Sequence, residues 1–256
     1  MRPIKALVPL AAAVLVAACV TPDRGTFGPF QRSLNTKAHG YAVIADPTGA
    51  APVPKIERFE VRPGDCGRNS GWNDCENDRE RSELGERGKS TGPGQTWWYG
   101  WHLYVPEDYI NVFPTKVALG QFHQHRSHVV WMFQNAGGGY HLDDQVRGKT
   151  SRYYELIPET ELRGRWHRIE VQAKWSRESD GFLRVWVNGE QKVDYAGRTM
   201  TADFVYFKYG VYRSYVSRYK NATGSDAVPA QTALYANVRR SATRDGLLPP
   251  NPGIAD

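Results

Sequence analysis

With 256 residues, 40% of them hydrophobic and 12% aromatic, the chain can bury one large β domain or two small ones, which excludes a sequence too polar to hold a core. A formal charge of +6 favours a polyanionic partner without naming one. The sequence contains no P-loop, no dinucleotide fingerprint and no internal repeat.

Residues 1–18 read as a targeting signal. Arg2 and Lys5 form a charged start, and the apolar run 6–18 is too short for a spanning helix. It ends Val16-Ala17-Ala18-Cys19, which resembles a bacterial lipobox. That resemblance implies cleavage before Cys19 and a lipid on its thiol. Val20, in place of an aspartate, implies an exported protein held at the outer membrane or in the periplasm. Lipid on one of three cysteines leaves Cys66 and Cys75 as a pair closing a short Gly/Asn/Asp-rich loop, which an oxidising compartment would join. Residues 19–53, rich in Pro, Gly, Thr and Ala, are expected to form the lipidated start and a tether leading into an edge segment. The folded domain is expected over 54–240 and a tail over 241–256.

Residues 56–63 alternate and predict the first strand of the domain. In Asn77-Asp-Arg-Glu-Arg-Ser-Glu-Leu84 an extended backbone puts Arg79, Arg81 and Glu83 on one face and Glu80, Ser82 and Leu84 on the other. On its own such a stretch reads as a solvated salt-bridge ladder; the alternative is the floor of a groove for an acidic ligand. Residues 97–105 form an aromatic strand closed by Pro106. In 117–124 Gln121 and His123 share a face, with Phe122 opposite. His125 extends that face, and His-x-His is also a metal-ligand pattern, but no carboxylate or cysteine completes it. Further strands are expected at 129–133, 166–175 and 233–238. A hairpin is expected at 182–195, turning at Asn188-Gly189.

The most informative strand is 205–213, Val-Tyr-Phe-Lys-Tyr-Gly-Val-Tyr-Arg. Val205, Phe207, Tyr209 and Val211 form an apolar face, while Tyr206, Lys208 and Tyr212 look the other way with Gly210 among them. Lys208 and Tyr212 lie about 13 Å apart along such a strand, a span suited to a polymer. A strand glycine there marks a point of close ligand approach. Regular strand spacing with almost no helix periodicity predicts an all-β sandwich or jelly roll.

Three of these pieces together resemble polysaccharide lyases of the heparin lyase I and glucuronan lyase type, with alginate lyases carrying a similar trio: Arg79-Glu-Arg-Ser-Glu-Leu84, Gln121-Phe-His123 and Tyr206-Phe-Lys-Tyr-Gly-Val-Tyr212. They occur in the family's order over roughly residues 56–240. The resemblance implies a jelly-roll β-sandwich with a concave substrate groove, cutting a uronic-acid polysaccharide by β-elimination. No cofactor is required for catalysis; related folds often carry a structural calcium, though no acidic loop here announces one.

That reaction removes the C5 proton beside a carboxylate and expels O4. It needs a partner for the carboxylate, a base and an acid. The resemblance points to Gln121 and Arg81 for the carboxylate, His123 and Tyr212 for proton transfer, and Lys208 as the cation that tunes the phenol. Arg79, Glu83, Tyr206 and His125 are expected to bind substrate. Which of His123 and Tyr212 is the base depends on whether the elimination is syn or anti. The expected partner is an acidic, non-sulfated polysaccharide such as glucuronan or alginate. A nucleic acid is not expected for an exported protein, and the expected state is a monomer. A glycoside hydrolase would need two facing carboxylates, and Glu80 and Glu83 face opposite ways. A carbohydrate-binding module without catalysis is the stronger rival.

Overall fold

A computed structural model describes residues 22–87 and 91–249. The targeting signal and Cys19 lie outside them, as does the end of the tail beyond 249. The chain forms fourteen strands among the described residues: β1 Phe30–Arg32, β2 Tyr41–Ala45, β3 Lys55–Val61, β4 Arg79–Glu86, β5 Thr96–Tyr104, β6 Lys116–Gln124, β7 Val129–Ala136, β8 Gly139–Asp144, β9 Tyr153–Ile157, β10 Trp166–Lys174, β11 Phe182–Val187, β12 Glu190–Ala196, β13 Val205–Ser214 and β14 Gln231–Ser241. Two short helices, α1 Glu159–Leu162 and α2 Val216–Thr223, connect them.

The strands make two seven-stranded antiparallel sheets, in the orders β1-β4-β13-β6-β7-β8-β9 and β12-β11-β10-β5-β14-β3-β2, packed as a jelly-roll β-sandwich. One aromatic core joins them: Trp101 of the second sheet lies 5.0 Å from Phe133 of the first, and Phe59 lies 5.3 Å from Tyr209. The alternation in β13 does what its sequence requires, with Val205, Phe207, Tyr209 and Val211 all buried in this core. The opposite face of the first sheet is left to carry the groove.

Both ends of the described chain are more ordered than expected. The stretch expected to be a tether leading into an edge segment supplies such segments twice, as β1 and β2, one edge strand of each sheet, and its start is already packed, with Arg24 paired to buried Glu57 at 2.6 Å. At the other end, Leu247 of the expected tail is buried against Gly100. Neither segment has the strand alternation that makes an element visible in sequence.

Gly210 is also needed for a different reason than ligand approach. Its φ is +128°, and a Cβ there would come within 2.3 Å of the Ser82 carbonyl on β4 and 2.7 Å of the Phe59 ring. The register between β13 and β6 shifts at this point, between Tyr209 and Tyr212. The Tyr235 hydroxyl, reaching across the core, donates to the Gly210 carbonyl at 2.9 Å and also contacts that of Leu119. The glycine thus lets the backbone shift its pairing just before Tyr212.

Candidate active site

Strand register brings the three separated motifs onto one face. Lys208 stands opposite Gln121 on one side and Gly85 on the other, Tyr206 opposite His123, and Tyr212 opposite Arg81. A groove of about 450 Å³ runs over them, lined by Arg79, Gln121, His123 and Tyr212 among others.

Beneath the groove lies a chain of buried charge. Arg81 donates through Nε and Nη2 to the two oxygens of Asp74, at 2.6 and 2.5 Å, and through Nη1 to Glu83 Oε2 at 3.1 Å. Lys208 Nζ donates to the same Glu83 oxygen at 2.7 Å, and Gln121 Nε2 donates to Glu83 Oε1 at 2.6 Å. Burial pushes the Glu83 carboxyl up, but Lys208 and Arg81 together outweigh it and hold it below its ordinary value. Burial lowers Lys208, and Glu83 only partly offsets that.

Asp74 reaches Arg81 from the loop closed by the Cys66–Cys75 disulfide, whose Cα atoms are 5.2 Å apart. In that loop the Asp74 amide donates to the Gly67 carbonyl at 2.9 Å, and the Trp72 indole donates to Asp74 Oδ1 at 2.8 Å. The crosslink therefore fixes one end of the charge chain.

This arrangement changes where several of the expected residues stand. Arg81 is 6% exposed, is held by two carboxylates and is absent from the groove lining. Its guanidinium instead lies 4.3 Å from the centre of the Tyr212 ring. Glu83 is 1% exposed, and its carboxylate accepts from Gln121 Nε2. Lys208 is 5.9 Å from the Tyr212 ring centre and is bonded to Glu83, not to the phenol. His125 falls on the exposed turn after β6, outside the groove lining, because β6 ends at Gln124. The charge-rich strand β4 is thus not a solvated ladder. Glu80, on its other face, is paired with Arg213.

Arg79, rather than Arg81 or Lys208, is the cation bonded to the phenol. It lines the groove, donates through Nε to the Tyr212 hydroxyl at 3.1 Å and through Nη1 to the Asp78 carbonyl at 3.0 Å. Its guanidinium stacks 4.0 Å from the Tyr215 ring centre, and Arg218 of α2 lies at the same distance. Tyr215 is held in left-handed backbone, φ 61°, by its amide bond to the Asp78 carbonyl at 3.0 Å and by Thr115 at its own carbonyl, 2.9 Å. The Asp78 carboxylate also accepts from the Ser217 amide at 2.9 Å, so it caps α2 from across the sheet.

The two proton-transfer candidates differ in their electrostatics. His123 Nδ1 is 2.8 Å from the Gln124 carbonyl, which only accepts, so Nδ1 carries the hydrogen and Nε2 is the basic nitrogen. Burial, with Lys208 adding to it, lowers this imidazole to about 4. Tyr206 covers it, ring centres 5.4 Å apart. Burial raises Tyr212 above its ordinary phenol value, although Arg81 and Arg79 oppose the shift. At neutral pH the site therefore holds an unprotonated imidazole and a protonated phenol on one groove.

Several residues of the groove had no place among the expected site residues. Met132, Asp143 and Gln145 line its far side, and Lys116 and Tyr215 also line it. Asp143 lies on β8, which directly follows the Gly137-Gly-Gly139 turn. The Tyr140/Leu142 alternation after that turn is the signal that would have found it. Among the described residues no group of three or more His, Cys, Asp and Glu side chains is placed to hold a metal ion.

A family model described as polysaccharide lyase matches residues 23–235. Among solved structures the chain is similar to the endo-β-1,4-glucuronan lyase from the fungus Trichoderma reesei, with 15% identity, 85% of this chain and 96% of that chain covered, and a TM-score of 0.60. It is also similar to alginate lyase A1-II′, with 12% identity, coverage of 84% and 94% and a TM-score of 0.57, and to alginate lyase AlgAT5 of polysaccharide lyase family 7, with 15%, 83%, 92% and 0.54. No curated protein sequence matches the chain.

Proposed function

Because the chain belongs to the polysaccharide lyase family, we propose that it cleaves a non-sulfated, uronic-acid-containing polysaccharide by β-elimination in the groove over β13 and β6. The observation that carries this is the shared groove of Gln121, His123, Tyr212 and Arg79. Gln121 uses one amide hydrogen on Glu83 and keeps the other for the uronate carboxylate. Arg79, lining the same groove, supplies a charge-assisted donor. Together they stabilise the enolate that forms when the C5 proton leaves.

His123 Nε2 takes the C5 proton, the C4–O4 bond breaks, a C4–C5 double bond forms and the Tyr212 hydroxyl gives its proton to O4. Arg79, bonded to the phenol oxygen, steadies the phenolate left behind. Non-sulfated substrates fit because Arg81 and Lys208 are already neutralised inside the protein.

Unsaturated uronate product absorbs in the ultraviolet. Incubation with polyglucuronate, alginate and unsulfated chondroitin should give that absorbance with at least one polymer. Tyr212→Phe should lower turnover about a hundredfold or more, the loss of a positioned proton donor. Near-normal turnover in the variant would remove Tyr212 from the mechanism, and binding without product would leave only a carbohydrate-binding module.

The same reading places the enzyme outside the cytoplasm, anchored by lipid on Cys19. Support comes from the leader sequence and from the Cys66–Cys75 pair, a bond kept in oxidising compartments. Cys19→Ser should release the protein from the membrane fraction; continued membrane retention would refute the anchor.

A further inference from the structure

The proposed reaction gives the polymer a direction on the sheet. The uronate carboxylate sits at Gln121 and its O4 at the Tyr212 hydroxyl. The sugar that leaves on O4 therefore lies beyond Tyr212, on the side away from Gln121. Two residues further along β13, about 7 Å or roughly one sugar, stands Ser214. Register sets Ser214 between Arg79 on β4 and Lys116 on β6, and all three line the groove.

The two cations of this row are not equivalent. Arg79 is already committed to the Tyr212 hydroxyl, the Asp78 carbonyl and the Tyr215 ring. The Lys116 side chain is 42% exposed, and its nearest carboxylate oxygen among the described residues, Asp143 Oδ2, is 4.0 Å away, beyond hydrogen-bond reach. That oxygen already accepts from Gln134 Nε2 at 3.1 Å and Gln145 Nε2 at 2.9 Å. Asp143 thus draws the ammonium across the groove wall without occupying its donors.

An ammonium held this way discriminates between neighbouring sugars. A carboxylate brings it charge-assisted hydrogen bonds, whereas the hydroxyls of a neutral sugar only replace those of water.

We propose that Lys116 is a specificity-determining residue of the groove, its ammonium binding the carboxylate of the sugar that leaves on O4. The substrate then carries a uronate on each side of the bond that breaks, and consecutive uronates are preferred to a uronate alternating with a neutral sugar. This rests on the lyase reading for the direction of the polymer, and it adds what the neighbouring sugar must be.

The test is binding, so that it does not depend on turnover. In the Tyr212→Phe background, calorimetry would compare an all-glucuronate tetrasaccharide with an unsulfated chondroitin tetrasaccharide, in which the sugar across O4 of glucuronate is N-acetylgalactosamine. The salt is set at about 0.3 M, where the screening length is about 6 Å and only close charges count. Lys116→Gln should weaken the all-glucuronate ligand about fivefold to tenfold and the chondroitin ligand less than about twofold. Lys116→Arg should restore the former to within about threefold. Lys220→Gln, on exposed α2 and outside the groove lining, should move neither. An all-glucuronate affinity that Lys116→Gln leaves unmoved, equal weakening of both ligands, a matching loss in Lys220→Gln, or no binding of the all-glucuronate ligand would each overturn the proposal. Absence of ultraviolet product from every polymer with the unsubstituted enzyme would overturn the lyase reading, and the Lys116 affinities would still decide whether this ammonium takes a carboxylate.

Discussion

On the β4–β13–β6 side of the groove, charge is buried and neutralised inside the protein. On the β7–β8–β9 side it stays at the surface. Glu83, Arg81, Lys208 and Asp74 are all buried and bonded to one another, and only Gln121, His123, Tyr212 and Arg79 emerge from above them. Across the groove, Tyr153 and Glu155 are exposed, and Asp143 and His141 are only partly buried. One side is organised to hold a small number of side chains still, which the proposed catalysis demands. The other offers an adaptable surface, which suits reading the length of a polymer.

Removing Glu83 is the sharpest way to break this contrast. Glu83→Ala leaves Lys208 and Arg81 buried beside an empty site, and should lower unfolding stability by about 3–5 kcal/mol. Asp143→Ala, at the groove surface, should cost about 1 kcal/mol. Chemical denaturation of both variants measures this, and equal losses would mean that the two sides are held alike.

Catalysis should divide the same way. Gln121→Ala should reduce kcat/KM about a hundredfold to a thousandfold, as for the loss of one enolate-stabilising donor. Its register partner on β7, Met132, should tolerate Leu with less than about a threefold change, because the swap conserves volume.

Replacing both Cys66 and Cys75 with Ser should cost about 2–3 kcal/mol, the loop-closure value for a short crosslink. Because the loop carries Asp74, the variant should also lose kcat more than it raises KM.

The same side of the groove should also respond to pH. His123 titrates near 4 in the folded chain, against an ordinary value of 6.5. As pH falls through that window the unfolded chain takes up the proton first. The stability it contributes is therefore complete above 6.5 and lost progressively towards 4. The acid limb of kcat/KM should accordingly fall near pH 4. A limb at 6.5 would show that the free enzyme does not desolvate this imidazole.

Much of the first side was legible in the sequence. The alternation in 205–213 placed Tyr212 and Lys208 opposite the core, and the spacing of Gln121 and His123 put both on one face, because a strand's two-residue period is a local property. Local periodicity does not say which charged neighbour satisfies which. Arg79 and Arg81 are equivalent in the sequence, two residues apart on one face. The loop carrying Asp74 captures Arg81, while Arg79 is left to reach the phenol.

Gly210 shows the same limit. A strand glycine announces an irregularity, but the cause is the Ser82 carbonyl of a strand more than a hundred residues away in sequence. The exact bounds of β1 and β2, and the strands β8 and β9, escaped notice because short, mixed segments take their structure from the partner they pair with.

The sequence alone determined a β-sandwich and its core face, since these follow from side-chain alternation, and the order of three motifs carried the resemblance to polysaccharide lyases. Tertiary structure decided which cations face the ligand and which are held by buried carboxylates. It also brought Asp143 and Tyr153 into the row that begins at Gln121. Both outcomes depend on strand register between distant segments, which no local pattern encodes.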